Sequence, residues 1–260
     1  MHKTILATVS IAALGVSTAM AADLSAMPTK APIFVAPSWT GAYVGLNAGY
    51  GWGKSDGASI PSDLHPLLNA NVPSLSPKGF IGGGQVGYNW QTGPWVLGAE
   101  LDFSGMNVKA DKRVSPFFIG KGSATYSTQY DWLLTARARA GITFAQNWLL
   151  YVTGGLAVTQ VKDAISGGEV FFPNELTVWS GSKTLVGGTV GGGLEYAFAP
   201  NWSMKAEYLY AKFEDSAPPM TYSSPLPSPG FGSRDGYGTI AKFSHDLNIV
   251  RVGVNYKFGG

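Results

Sequence analysis

The amino-acid sequence predicts an all-β protein, an eight-stranded antiparallel transmembrane β-barrel with short periplasmic turns and four long extracellular loops. Three observations carry that prediction. Eight segments alternate apolar and polar residues, with the period of two that belongs to a strand. Their connections alternate between about three residues and well over a dozen, which is the loop asymmetry of a barrel spanning a membrane. Trp39, Trp90, Trp95, Trp148 and Trp202 sit at strand ends on the short-turn side. There an indole can lie in the membrane interface with its N–H reaching water, so these five are expected to form a periplasmic aromatic girdle.

Residues 1–21 read as a secretory signal peptide. Lys3 supplies the positive start, residues 5–16 a short apolar run, and Ala19-Met20-Ala21 the small-residue cleavage pattern. The apolar run is shorter than a spanning helix requires. Residues 22–38, with Pro28, Pro32 and Pro37, form a loose periplasmic lead-in, and residues 39–260 form the outer-membrane β-barrel domain.

The first strand covers residues 39–52, with Val44, Leu46, Ala48 and Tyr50 opposite Gly45, Asn47 and Gly49. The second, 79–91, sets Phe80, Val86, Tyr88 and Trp90 against Gln85, Gly87 and Asn89. Thr92-Gly93-Pro94 turns into the third, 95–109, where Leu97, Ala99, Leu101 and Phe103 point outward and Glu100 and Asp102 inward. The fourth, 126–144, carries Trp132, Leu134, Ala136, Ala138, Ala140 and Ile142 opposite Thr135, Arg137, Arg139 and Thr143. The fifth covers 148–162. The sixth, 184–198, puts Val186, Val190, Leu194, Tyr196 and Phe198 outside and Glu195 inside. In the seventh, 202–213, Met204, Ala206, Tyr208 and Tyr210 oppose Lys205 and Glu207. The last, 243–258, sets Val250, Val252, Val254, Tyr256 and Phe258 against Arg251, Gly253, Asn255 and Lys257. A soluble sheet would bury such an apolar face against more protein, so a periplasmic β-domain is the structural rival. Only a barrel accounts for the sorted loops as well.

Composition excludes several classes. The chain has no cysteine, so it has no disulfide framework and no thiol chemistry. Removing Lys3 leaves 17 Lys and Arg against 16 Asp and Glu, and so balanced a chain has no bulk attraction to nucleic acid. Beyond the leader, no segment reaches the ~18 consecutive apolar residues of a membrane-spanning helix. Charged residues make up 13% of the chain, against about 25% in a typical globular domain, which suits a wall facing lipid.

The segments at residues 39–50, 83–90, 151–157, 205–210 and 250–258 resemble strands of the small outer-membrane barrels of alphaproteobacteria, the opacity-protein-like and heat-stable surface-antigen group of porin-family type. The likeness covers nearly all of the chain after its leader except the four long loops. It implies surface exposure and a role in envelope integrity, adhesion or antigenicity, with porin and haem-binding relatives. It also implies that Tyr256 and Phe258 act as the terminal signal read by the barrel assembly machinery, although here Gly259 and Gly260 follow them.

The inward face carries Glu100, Asp102, Arg137, Arg139, Glu195, Lys205, Glu207, Arg251 and Lys257. An eight-stranded barrel is just wide enough for side chains to fill it. Nearly balanced charge therefore predicts a plug of salt bridges and hydrogen bonds. The alternative is a narrow, anion-preferring water path lined by Arg137, Arg139 and Arg251, with inward Gly45, Gly87, Gly155, Gly187 and Gly253 leaving room for water.

Other motifs carry less. The run from Gly82 to Gly87 matches G-x-G-x-x-G but lies within a strand, whereas nucleotide binding needs a helix after it. Ser244-His245-Asp246 cannot converge as a triad, because adjacent strand residues face opposite ways. His65 and His245 make no metal motif. The long loops hold apolar residues (Leu64, Leu67 and Leu68; Val170, Phe171, Phe172 and Trp179; Pro218, Pro219, Pro225, Leu226 and Pro227) able to meet a partner or to pack as a lid. The expectation is a non-enzymatic outer-membrane protein without metal or cofactor. Its neighbours would be lipid and lipopolysaccharide, and its loops could meet a host or surface ligand. The runner-up is a small porin.

Overall fold

The computed structural model describes residues 38–58, 74–114, 124–145, 147–168, 176–214, 220–223, 237–238 and 242–259. The signal peptide, nearly all of the lead-in, His65 and most apolar loop residues named above lie outside them.

The regular structure of the described residues is entirely β: β1 (Gly41–Ala58), β2 (Lys78–Thr92), β3 (Trp95–Val114), β4 (Ala124–Phe144), β5 (Trp148–Gly168), β6 (Leu176–Ala199), β7 (Trp202–Phe213), β8 (Met220–Ser223), β9 (Tyr237–Gly238) and β10 (Lys242–Lys257). Strands β1 to β7 each pair antiparallel with their sequence neighbours, and β10 pairs with both β7 and β1. Eight strands thus close into a ring. Closure leaves no open edge, so apart from local bulges the backbone N–H and C=O groups are paired along every ladder, as hydrocarbon demands. The short β8 and β9 add to the upper end of β6.

Sequence-derived strand ends on the short-turn side agree with the observed ones to within about two residues. On the long-loop side most strands run further, as in β3 to Val114 and β6 from Leu176, while β7 ends at Phe213 as expected. These extensions are held by ladder hydrogen bonds between neighbouring strands. β4 also carries a bulge. Tyr130 opposes Val161 and Trp132 opposes Gln160, which leaves Asp131 over. The inward set therefore switches from odd residues (Leu133, Thr135, Arg137) to even ones (Tyr126, Thr128, Tyr130).

The short turns are tight. Gly93 bridges β2 and β3 in the left-handed region at φ 59°, where glycine alone carries no steric penalty. Elsewhere glycine serves close approach. A Cβ on inward Gly187 would lie 2.1 Å from the Lys212 carbonyl oxygen, and one on Gly155 would lie 2.1 Å from that of Ala136. At Gly87 the same space is filled by the Tyr43 ring, 2.4 Å away. A side chain at these three positions would therefore collide with strand or ring atoms, while inward Gly155 itself stays exposed.

A Gly187→Ala variant should lose about 1–3 kcal/mol of stability through overpacking, read as a lower urea midpoint of the refolded barrel. Gly84→Ala adds its methyl on the lipid face, 3.6 Å from the nearest atom, and should leave the midpoint unchanged.

Candidate functional site

Side chains fill the ring in tiers. Beside the short turns, Trp39, Val96, Leu149, Tyr151 and Ala197 form an apolar cluster. A charged tier follows, built by Glu100 and Asp102 on β3, Arg137 and Arg139 on β4, Glu195 on β6, Lys205 and Glu207 on β7, and Arg251 on β10, all buried. Toward the loop ends the lining becomes apolar again, with Ile81, Met106, Val108, Leu133, Leu185, Leu209, Leu247 and Ile249 in one buried cluster. Tyr130 tops this cluster, its hydroxyl 3.0 Å from His245 Nδ1.

Strand alternation explains each tier. On β7, Lys205 and Glu207 share a face with Leu209, Ala211 and Phe213; on β10, Arg251 shares one with Ile249, Leu247 and His245. The two chemistries therefore lie one above the other along the barrel axis.

Glu100 is the hub of the charged tier. Lys205 Nζ donates to both its oxygens at 3.0 and 2.9 Å, and the Tyr43 hydroxyl donates at 2.7 Å. Arg137 donates to Glu100 as well, and Arg251 and Arg139 approach to 3.7 and 4.0 Å. Glu207 accepts from Arg251 Nε at 2.7 Å and from the Tyr151 hydroxyl at 2.9 Å, with Arg137 at 3.2 Å. Asp102 pairs with Arg137 at 3.3 Å and with Arg251, and accepts from Thr135 at 3.1 Å. Glu195 holds Arg139 at 2.6 Å and accepts from Asn255 at 2.8 Å and Ser203 at 2.5 Å. Arg139 also lies 4.1 Å over the Tyr151 ring, a cation–π contact.

Two expected members are placed elsewhere. Lys257 is only partly covered, and its ammonium reaches the Ser38 carbonyl at the short-turn mouth. It stands outside the network because it lies at the very end of β10, where its ammonium is met by the Ser38 carbonyl and solvent before it can reach the tier. Its departure leaves four acids and four bases. Trp39 is 5% exposed: it belongs to the inner cluster and not to the girdle, since it precedes β1 and folds into the barrel mouth. Trp90, Trp95, Trp148 and Trp202 do lie on the outer wall, with Trp148 4.6 Å from Tyr196 and Trp202 5.0 Å from Tyr256. Tyr256 in turn meets Phe258 at 5.1 Å.

The hydrogen-bonding tyrosines Tyr43 and Tyr151 and the whole upper apolar tier are additions to the sequence reading. Parity could have found most of them, because Leu209 follows Glu207 on the same face and Met106 follows Asp102 and Ser104. Ser244 and Asp246 lie on the face opposite buried His245, so the three form no triad. Among the described residues no cluster of His, Asp and Glu is arranged to hold a metal ion.

The chain matches the family model described as outer membrane protein beta-barrel domain over residues 9–258. It is 37% identical to the 31 kDa outer-membrane immunogenic protein of Brucella melitensis, over 99% of this chain and 100% of that one. It is 31% identical to the 22 kDa outer membrane protein of Rhizobium leguminosarum, over 88% and 82%. Among solved structures, the outer membrane protein OprG of Pseudomonas aeruginosa aligns at 16% identity and a TM-score of 0.45, over 87% of this chain and 100% of that one. The chain belongs to the outer-membrane β-barrel family and is an outer-membrane protein.

Glu100→Gln would strand surrounding cations in a dry interior and should cost about 3–5 kcal/mol, measured by urea unfolding of the folded barrel. Lys257→Gln should stay within about 0.5 kcal/mol. Leu209→Ala, in the apolar tier, should lose about 2–5 kcal/mol.

Proposed function

We propose that this outer-membrane barrel is a closed, non-enzymatic structural and surface-interaction protein, with its lumen a plug and its long loops the functional surface. The observation that carries this reading is the two-tier filling of the interior. An ion crossing the barrel would have to part the Glu100 network and then pass the tier of Leu133, Leu209 and Leu247, each 0% exposed. The first barrier breaks paired buried charges, and the second is a largely apolar constriction in which Thr159 and Thr189 are already bonded to backbone carbonyls.

Envelope integrity, adhesion and antigen display all fit a rigid scaffold that holds loops outside. The printed names of the Brucella relatives include the word immunogenic, which supports surface exposure of the loops here. Within the same proposal, residues 1–21 direct export, and the exposed Phe258 with its neighbour Tyr256 presents the terminal aromatic signal to the assembly machinery.

The test is single-channel recording of the refolded mature protein in planar bilayers, with folding confirmed by heat-dependent gel mobility. Silence is the expected result. Reproducible discrete steps, with an anion preference lost in an Arg137→Ala, Arg139→Ala double variant, would overturn the closed reading in favour of a small porin.

A further inference from the structure

The outer wall is uneven at one place. A groove of about 770 Å³ opens on the β10, β1, β2 and β3 side, lined outward by Ala48, Gly82 and Gly105 with Tyr50, Phe80 and Asn107 above them. It is a shallow, open hollow in the wall and not an enclosed cleft. The register explains the hollow. Ala48 faces Gly82, and Gly82 faces Gly105, so three adjacent strands present almost no side chain at one height. One row toward the loops, Tyr50 faces Phe80 and Phe80 faces Asn107.

The next row is charged. Lys78 and Lys109 are direct cross-strand partners, both exposed on the outer face, with Trp52 on the other side of Lys78. Like charges placed directly opposite on one face repel and destabilise a strand pair. Among the described residues no carboxylate forms an ion pair with either ammonium. Outward lysines elsewhere on the wall differ: Lys162 on β5 is bridged to Asp131 at 2.6 Å, while Lys54 on β1 and Lys212 on β7 both stand opposite Asp246.

We propose that Lys78 and Lys109 with the groove beneath them form a binding site for a phosphorylated, acylated lipid of the outer leaflet. The headgroup phosphate sits between the two ammonium groups, and an acyl chain lies in the hollow over Gly82 and Gly105. The arrangement fits one amphiphile along the membrane normal: anion-seeking charge at the level of the headgroups, the polar amide of Asn107 one step below, and apolar wall below that. The lysines stand at the loop end of the apolar band, which is the outer-leaflet level. The phosphate of a saccharolipid is the anion found there. Lysine acts on such a group as a point charge. The site lies outside the ring and is independent of whether the lumen conducts.

The test is native mass spectrometry of the full mature barrel in detergent, titrated with bisphosphorylated lipid A. Lys78→Gln with Lys109→Gln should weaken binding roughly tenfold to thirtyfold, at about 1 kcal/mol for each lysine lost near a headgroup. Gly82→Leu should weaken it comparably while leaving the lysines in place. Dephosphorylated lipid A should bind wild type as poorly as the phosphorylated form binds the double variant. Heat-dependent mobility checks that each variant is folded. Lys54→Gln, next to Asp246, should bind like wild type. Equal affinity of wild type and the double variant, or equal affinity for dephosphorylated lipid A, would overturn the proposal. So would an undiminished signal in Gly82→Leu, or binding of phosphatidylglycerol as tight as that of lipid A.

Discussion

Closing eight strands into a ring leaves an interior only as wide as the side chains that fill it. Lipid forbids any open edge outside, and the narrow bore brings side chains from opposite walls within reach of one another inside. Both faces of every strand must therefore be settled by side chains. The outer face is settled by apolar residues and terminal aromatics. The inner face is settled by tiers: an apolar floor around Trp39, a charged middle around Glu100, and an apolar ceiling around Leu209 and Leu247.

A purely apolar interior would fill the same space, so the charged middle calls for a separate reason. A strand apolar on both faces has no preferred register, because sliding it by one residue costs little. Here a one-residue slip of β4 would turn Arg137 and Arg139 into hydrocarbon, at about 2–4 kcal/mol for each at mid-membrane. The four acids and four bases thus make every barrel strand but β1, β2 and β5 heavily penalised in any other register. Those three are tied in by side chains that need a particular height: Tyr43 to Glu100, Gln85 to Asn255, and Tyr151 to Glu207. Buried charge is a weak source of stability but a strong source of registry.

Much of this was legible in the sequence, and what was missed has definite causes. Period-two alternation gave the strand count, the sorting of loops and eight members of the charged tier, because lipid and a charged interior impose opposite polarities on adjacent residues. Lys257 obeys the same parity yet stays at the mouth, since parity reports the face and not the height along the barrel axis. Trp39 lies at the right height but on the inner side, because it precedes the first ladder pair and is free of strand parity. The apolar ceiling escaped for another reason. Around Trp132-Leu133-Leu134 and Tyr208-Leu209-Tyr210 both faces are apolar, and the alternation that identifies a strand fades where the inner lining changes chemistry. The bulge at Asp131 adds a parity switch that the sequence of β4 alone does not mark.

The order of the tiers has a physical consequence. The charges sit where the barrel wall crosses the hydrocarbon, so their field is least screened there and their pairing most constrained. The apolar ceiling stands between them and the loop-side water. With Leu133, Leu209 and Leu247 all fully buried, water reaching Glu100 from outside would have to enter a space lined mainly by apolar groups. Water entering from the short-turn side meets Trp39 and a recess of only about 30 Å³, room for little more than a single molecule. In the closed reading proposed above, the ceiling and floor narrow water's way to the network, and ion pairs shielded from water are the stronger for it. A large apolar side chain removed from the ceiling would therefore do more than leave a cavity. It would admit solvent to the charges that fix the register of the whole ring.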